Sequence, residues 1–350
     1  MTARPQTDLP EEAYAAALAS VPDLGPATLR SLLATEAPSV AWSRSALPGD
    51  VARIWQQHEE AGVDVCLATD AAYPERLHGD PEAPAVLFSR GDISALNRYP
   101  TVAIVGTRSP TRYGIGVAAH FAAELAAMGI SVVSGLALGI DGAAHEGACA
   151  AGAPPVAVVA GGLSHPYPRQ NARLWERVAS LGVVLSESPV GIPTEKWRFP
   201  VRNRLLAALS DVVVVVESHH HGGALYTVHA AGDRGIPVGA VPGSIRSPAS
   251  AGTNRLLAEG CFPVCDVADI TMALSLTGAA IAPARSRTSS SVPTFEGADR
   301  EIYDLLSQDP RPLDWLARRS GWDLPALCGA LERLAAGRLA QDVGGWWERT

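Results

Sequence analysis

The sequence is almost without lysine. Lys196 is the single one among 28 cationic residues, so arginine carries the positive charge. Arginine presents a planar fork of donors that grips phosphate bidentately and stacks on rings. Cysteine is scarce too. Cys66, Cys149, Cys261, Cys265 and Cys328 are scattered, odd in number and without a CxxC pair. That excludes a disulfide framework and points to buried free thiols in a reducing compartment. Cys261 and Cys265 flank Phe262 and Pro263 with no histidine near, which is not a zinc site. No apolar run reaches the ~20 residues of a membrane-spanning helix, and no basic-plus-apolar leader is visible. A cytoplasmic protein away from membranes is expected, with no bound metal.

A general basic field is also missing. The net charge is −8; residues 1–100 carry 7 Arg against 14 acids, and residues 101–272 carry 12 charges of each sign. Any phosphate binding must come from a local patch.

Nearly half of the 350 residues are apolar, enough for more than one core. Residues 11–65 carry apolar side chains at helical spacing, and Val21-Pro22-Asp23-Leu24-Gly25-Pro26 punctuates two helices like a helix-hairpin-helix turn. The seven surplus acids of residues 1–100 favour a packing module here over a phosphate site. From about residue 100, short β-branched runs alternate with helical stretches. Strands are expected at Val102–Val105, Ser131–Val133, Val156–Val159, Val183–Leu185, Val212–Val216 and Pro237–Val241. Near-continuously apolar strands imply a parallel sheet covered on both faces. Residues 273–293 are rich in Ala, Ser, Thr and Pro and read as a flexible linker. Residues 294–350 return to helical periodicity and end in a Gly-Gly-Trp-Trp hairpin, as in a winged helix. The expected fold class is therefore α/β: an extended Rossmann-like parallel-sheet core over 86–272, a small helical N-terminal domain over 1–85, the linker, and a winged-helix-like C-terminal domain.

Ligands on such sheets bind beyond the carboxyl ends of the strands. The first strand runs into Gly106-Thr107-Arg108, with Arg112 close behind and a helical stretch expected near 115–128. Gly106 permits a sharp turn and Arg108 can meet a phosphate. This is not the GxGxxG fingerprint, and no acid ends the second strand to hold a ribose, which argues against a nicotinamide dehydrogenase. The second strand leads to Ser134-Gly135, then Gly139, Asp141 and His145. Asp141 and His145 share a helix face; without a nucleophile, a cap and a local hydrogen bond account for them better than acid–base work. His219-His220-His221 invites a metal, but adjacent side chains rarely converge on one ion, so a solvated loop is expected. The strongest local feature is Lys196-Trp197-Arg198-Phe199-Pro200-Val201-Arg202-Asn203-Arg204, with four cations, two aromatics and no acid. Rings interleaved with cations suit a single nucleic-acid strand, because every base has a π-face and every phosphate takes a cation. A solvated cationic loop with Trp197 and Phe199 in the core is the alternative.

The ordered set Gly106-x-Arg108 with Tyr113-Gly114, Ser134-Gly135-x-Ala137-x-Gly139-Ile140-Asp141-x-x-Ala144-His145, Gly161-Gly162 with Tyr167-Pro168, Ser186-Glu187, Phe199-Pro200-x-Arg202-Asn203-Arg204, Val216-Glu217, Pro242-Gly243 and Gly252-x-Asn254 resembles the DNA-processing protein A (DprA/Smf) family. The resemblance spans residues 101–265 and, more weakly, the outer regions. It implies a non-enzymatic protein without a cofactor that binds single-stranded DNA, forms homodimers, protects incoming DNA in natural transformation and hands it to the RecA recombinase. It carries over to Gly106, Arg108, Lys196, Arg198, Arg202, Asn203 and Arg204. With Arg112, Ser134, Gly135, Gly139, Trp197 and Phe199 these make the candidate nucleic-acid-binding set. One loop departs: Gly222-Gly223-Ala224-Leu225-Tyr226-Thr227 stands where the family has Ser-Gly-Ser-Leu-x-Thr, so two hydroxyls are lost. The competing readings are a nucleotide enzyme of the phosphoribohydrolase kind and a nucleotide sensor with the winged helix as output.

Overall fold

A computed structural model describes residues 9–22, 24–45, 49–97, 100–279, 298–306, 310–337, 339–342 and 345–349. The chain divides into two units, Met1–Ala284 and Arg285–Thr350.

The first unit opens with four helices, α1 (Glu11–Ala19), α2 (Pro26–Leu33), α3 (Pro38–Ser45) and α4 (Val51–Ala61). Pro26 occupies the first turn of α2, where its missing N–H costs nothing, and Gly62 ends α4 at φ 61°. Then follow β1 (Asp64–Leu67), β2 (Val86–Gly91), β3 (Thr101–Val105), α5 (Arg112–Ala127), β4 (Ser131–Ser134), α6 (Ile140–Cys149), β5 (Val156–Val158), α7 (Ala172–Leu181), β6 (Val183–Ser186), α8 (Arg198–Ala208), β7 (Val212–Val215), α9 (Ala224–Gly232), β8 (Val238–Ala240), α10 (Ala251–Ala258), β9 (Phe262–Pro263) and α11 (Val267–Leu276).

Among the described residues of this unit, nine strands form one sheet in the order β1-β2-β6-β5-β4-β3-β7-β8-β9. Strands β3 to β9 pair in parallel, as the β-branched runs predict. Alternation along β3 divides the core: Val102 and Ile104 pack on α5 and α6, while Ala103 and Val105 pack on the opposite face with α8 and α9. Each such buried Val contributes about 1.5–3 kcal/mol.

Three expectations change. The sheet is not wholly parallel, because β2 pairs antiparallel with β6 and β1 antiparallel with β2. Strand β1 lies in the stretch read as helical, and Phe88 and Val86 join the core cluster of the N-terminal helices. The linker begins later than composition suggests, since α11 runs to Leu276; residues 280–293 of that reading lie outside the described residues. The cysteines are all free, yet only Cys66 is buried, and Cys265 is exposed. Burial pushes the Cys66 thiol up to about 12.

The second unit packs α12 (Ala298–Leu305), α13 (Leu313–Ser320) and α14 (Leu324–Ala336) around Ile302, Leu316, Leu327 and Leu331. Strands β10 (Arg311–Pro312), β11 (Ala340–Asp342) and β12 (Trp346–Arg349) form a small antiparallel sheet, the wing. Among the described residues no helix is long and apolar enough to cross a membrane.

Candidate functional site

Strand β3 has β4 on one side and β7 on the other. The chain leaves β3 in one direction and returns on its far side, so a crevice opens beyond the carboxyl ends of β3 and β7. Two loops meet there. Thr107 N–H donates to the Glu217 carbonyl at 2.8 Å, and Ile140 N–H donates to the Thr107 carbonyl at 3.2 Å. A Cβ on Gly106 would lie 2.6 Å from the Ile140 side chain and 2.8 Å from the Glu217 carbonyl. Glycine is required by this packing, not by ligand room. Glu217 is buried and accepts from Thr111 N–H (2.8 Å) and Oγ1 (2.6 Å) at the start of α5. Its carboxylate meets the positive helix end and holds the turn.

The cleft between these loops is lined by Gly106, Thr107, Arg108, Asp141, Lys196, Phe199, Arg202, Asn203, His219, His221 and Tyr226, among others. Exposed Arg108 lays its guanidinium 4.3 Å from the centroid of the half-buried Phe199 ring. A cation held over a ring face is worth about 0.5–1 kcal/mol at an exposed site, so the pair is organised before any ligand arrives. Arg108 and Phe199 also border a second depression with Gly135, Gly161, Gly162, Tyr167 and Thr194. The Tyr167 ring lies 6.1 Å from Phe199. Two hollows thus share one arginine-capped ring.

The remaining cations of the Lys196–Arg204 stretch divide. Lys196 is exposed on the cleft. Helix α8 starts at Arg198 and turns Arg202 and Asn203 inward. Arg202 is buried and donates to the carbonyls of Gly135 (2.9 Å) and Val158, while its Nε reaches Asn203 Oδ1 at 3.2 Å. Asn203 Nδ2 donates to the Gly223 carbonyl at 3.0 Å. These bonds clamp the ends of β4 and β5 and the β7–α9 loop onto α8. Burial lowers the Arg202 guanidinium to about 10, which leaves it charged at neutral pH. Burial also raises the Asp141 carboxyl, against the pull of neighbouring Arg202. Arg204 pairs with Glu187 at 2.5 Å, away from the cleft.

The structure therefore brings Gly106, Arg108, Lys196, Phe199, Arg202 and Asn203 to one cleft and Gly135 to the adjoining hollow. Trp197 and Arg198 face a different groove, beside Gly25 and Pro26; Arg198 lies 4.3 Å from the Trp197 ring and both bond Glu195. Arg112 is exposed on α5 outside the cleft lining. Ser134 is buried, with Oγ donating to the Ile104 carbonyl at 2.7 Å. Gly139, at φ 83°, caps α6, the role expected of Asp141. His145 is buried, which pushes its imidazole down to about 4. Sequence reasoning missed Tyr226 and Thr194 as lining residues; a lone Tyr and a lone Thr give no motif. Among the described residues no His, Cys, Asp or Glu cluster is placed to hold a metal ion.

The family model for DNA recombination-mediator protein A matches residues 64–275. The chain belongs to the DprA/Smf family. A DprA winged-helix model matches residues 283–345. The chain is 38% identical over 218 residues to the DNA processing protein DprA of Bacillus subtilis, covering 62% of this chain and 73% of the relative. It is 34% identical to protein Smf of Escherichia coli over 281 residues, 78% of this chain and 74% of the relative. Among solved structures, DprA from Streptococcus pneumoniae superposes with a TM-score of 0.64 at 28% identity, over 75% of this chain and 98% of that one. DNA processing protein A from Helicobacter pylori, solved for its single-stranded DNA binding mode, gives 0.55 at 30% identity, over 62% and 97%. DprA/Smf membership fits a mixed α/β core joined to a winged helix, as observed.

Proposed function

We propose that the cleft at the ends of β3 and β7 binds single-stranded DNA, and that the protein protects such strands and passes them to RecA in recombination. The observation that carries this is the Arg108–Phe199 pair, an exposed guanidinium 4.3 Å above a ring, beside exposed Lys196. A duplex hides its base faces; a single strand offers both a base to stack and phosphates to neutralise. The reading is supported by the Helicobacter pylori relative, described as a single-stranded DNA binder. Asp141 is buried against Arg202, and Glu217 is held by Thr111, so both carboxylates serve packing rather than attack on a sugar. We accordingly read the chain as a cytoplasmic, homodimeric binding protein rather than an enzyme, with DNA taken up in natural transformation as one source of its strands.

The test is fluorescence anisotropy with labelled oligo-dT at two salt concentrations, against a matched duplex. Salt-sensitive binding that prefers the single strand is expected, and RecA filament formation on that strand should then speed up when the protein is added. Equal binding to the duplex, or none, overturns the reading.

A further inference from the structure

Trp197 and Phe199 stand two residues apart at the start of α8, yet they line different hollows. Trp197 already has helical backbone, at φ −68° and ψ −20°. Successive helical residues turn by about 100°, so the two rings leave opposite sides of the chain. Lys196 and Phe199 line the cleft, whereas Glu195, Trp197 and Arg198 line the groove beside Gly25 and Pro26. The segment is a ridge with a ring on each flank. Each ring carries an arginine at the same distance: Arg108 lies 4.3 Å from Phe199, and Arg198 lies 4.3 Å from Trp197. We propose that the groove is a second single-strand tract, in which the Trp197–Arg198 pair stacks a base of a strand that crosses the ridge from the cleft. The inference rests on the reading that the cleft binds single-stranded DNA, and extends it to a separate surface.

The groove has the room and the chemistry. At about 470 Å³ it matches the cleft, at about 450 Å³. Its lining is largely apolar, with Val21, Leu29, Pro189 and Ile192, and Trp197 stands 54% exposed on it. An exposed ring leaves a face for a base to cover, and such stacking tolerates any sequence. The platform is fixed before a ligand arrives. The Trp197 indole N–H donates to Glu195 Oε2 at 3.0 Å, and Arg198 Nη1 donates to Ser188 Oγ at 3.0 Å. Both acids that line the groove are engaged, Glu195 by Arg198 and Glu187 by Arg204. Gly25, the N-cap of α2, offers no side chain to the first-turn N–H groups, so the positive end of that helix stands on the groove without a side-chain cap.

Continuity with the cleft selects a polymer as the occupant. A small hollow lined by Pro26, Trp197, Arg198, Val201 and Arg202 shares Trp197 with the groove and Arg202 with the cleft. Two residues of chain span at most about 7 Å, so both rings are within reach of one strand. A single strand has a π-face on every unit and can cover both flanks at once.

Oligo-dT of about 5 and about 15 nucleotides, near the limits of known single-strand site sizes, tests this. Both are titrated by anisotropy into wild-type, Phe199→Ala and Trp197→Ala protein at one salt concentration. Phe199→Ala should weaken both. Trp197→Ala should bind the short strand as the wild type does and the long strand about 5- to 150-fold more weakly, the contribution of one stacked base. Trp197→Phe, which keeps a ring, should recover most of that loss. Photo-crosslinking of bromodeoxyuridine oligonucleotides to the wild-type chain gives a reading without any variant. The long strand should attach at Trp197 as well as Phe199, the short one at Phe199 alone. Unaltered long-strand affinity for Trp197→Ala, or a long strand that crosslinks at Phe199 and not at Trp197, overturns the proposal and leaves the groove to a protein partner. Equal loss at both lengths also overturns it, by making Trp197 part of the first tract. No wild-type binding at either length sinks the DNA reading itself.

Discussion

Arg204 and Glu187 pair at 2.5 Å with only 13% and 11% of their side chains exposed. Arg204 is among the cations expected to meet phosphate, but it pairs with Glu187 instead and lies outside the cleft lining. Among the described residues Glu187 Oε2 and Arg204 Nη1 find no hydrogen-bond partner, so the pair is imperfectly satisfied. Removing one member leaves a buried charge alone, which costs about 3–5 kcal/mol, whereas replacing both with apolar groups is often neutral. Arg204→Ala should thus lower stability in urea titrations by roughly that amount, and Arg204→Met with Glu187→Leu should restore it. Burial already raises the Glu187 carboxyl. Without Arg204 it rises further, and a raised folded pKa means stability present at acid pH and lost as pH climbs. The variant's deficit should therefore shrink below about pH 4–5.

Arg108 and Arg202 border the same cleft and should fail differently. Arg108 is exposed, so Arg108→Ala should reduce the salt slope of oligonucleotide binding by about 0.7, the share of one phosphate on a single strand. Arg202 is buried and bonded to Gly135 and Val158, so it positions the site. Arg202→Ala should weaken binding and lower the melting temperature with the slope unchanged. A reduced slope for Arg202→Ala would make it a direct phosphate contact.

Phe199 and Trp197 make a similar contrast. Phe199 faces both hollows, while Trp197 is 54% exposed in another groove, its indole N–H on Glu195 at 3.0 Å. Phe199→Ala should cost about 1–3 kcal/mol of binding, the worth of one stacked base. Trp197→Ala should leave affinity for a short oligonucleotide unaltered. The reverse result would move the strand's path to the groove beside Gly25.

These contrasts mark where the sequence was legible. Runs such as Val212–Val216 announce a doubly covered parallel strand because β-branched side chains fit that environment and little else. The edge strands were hidden: Asp64–Leu67 is four residues long, and its antiparallel partner Val86–Ser89 lies well along the chain. Residue type also named the right neighbourhood for the site, since Arg108, Lys196 and Phe199 converge. Direction was not legible. Starting α8 at Arg198 decides that Arg202 turns in and Lys196 stays out, and a helix start between Trp197 and Pro200 carries no cap signal. The histidine run gave a motif without a location; only the return of the chain at β7 puts it in the cleft.

Acid should weaken the fold through two buried histidines. Burial lowers the imidazoles of His145, to about 4, and of His58, whose Nδ1 lies 2.9 Å from the Ile54 carbonyl and whose Nε2 accepts from Val190 N–H at 3.1 Å. Both stay neutral in the folded chain at pH values where the unfolded chain takes up a proton. The unfolded state then binds more protons, so stability falls as pH drops from about 6.5 toward 4. For His145 alone the shift amounts to on the order of 3 kcal/mol by the lower end of that range. Urea midpoints should decline through this window, and His145→Leu should flatten the decline.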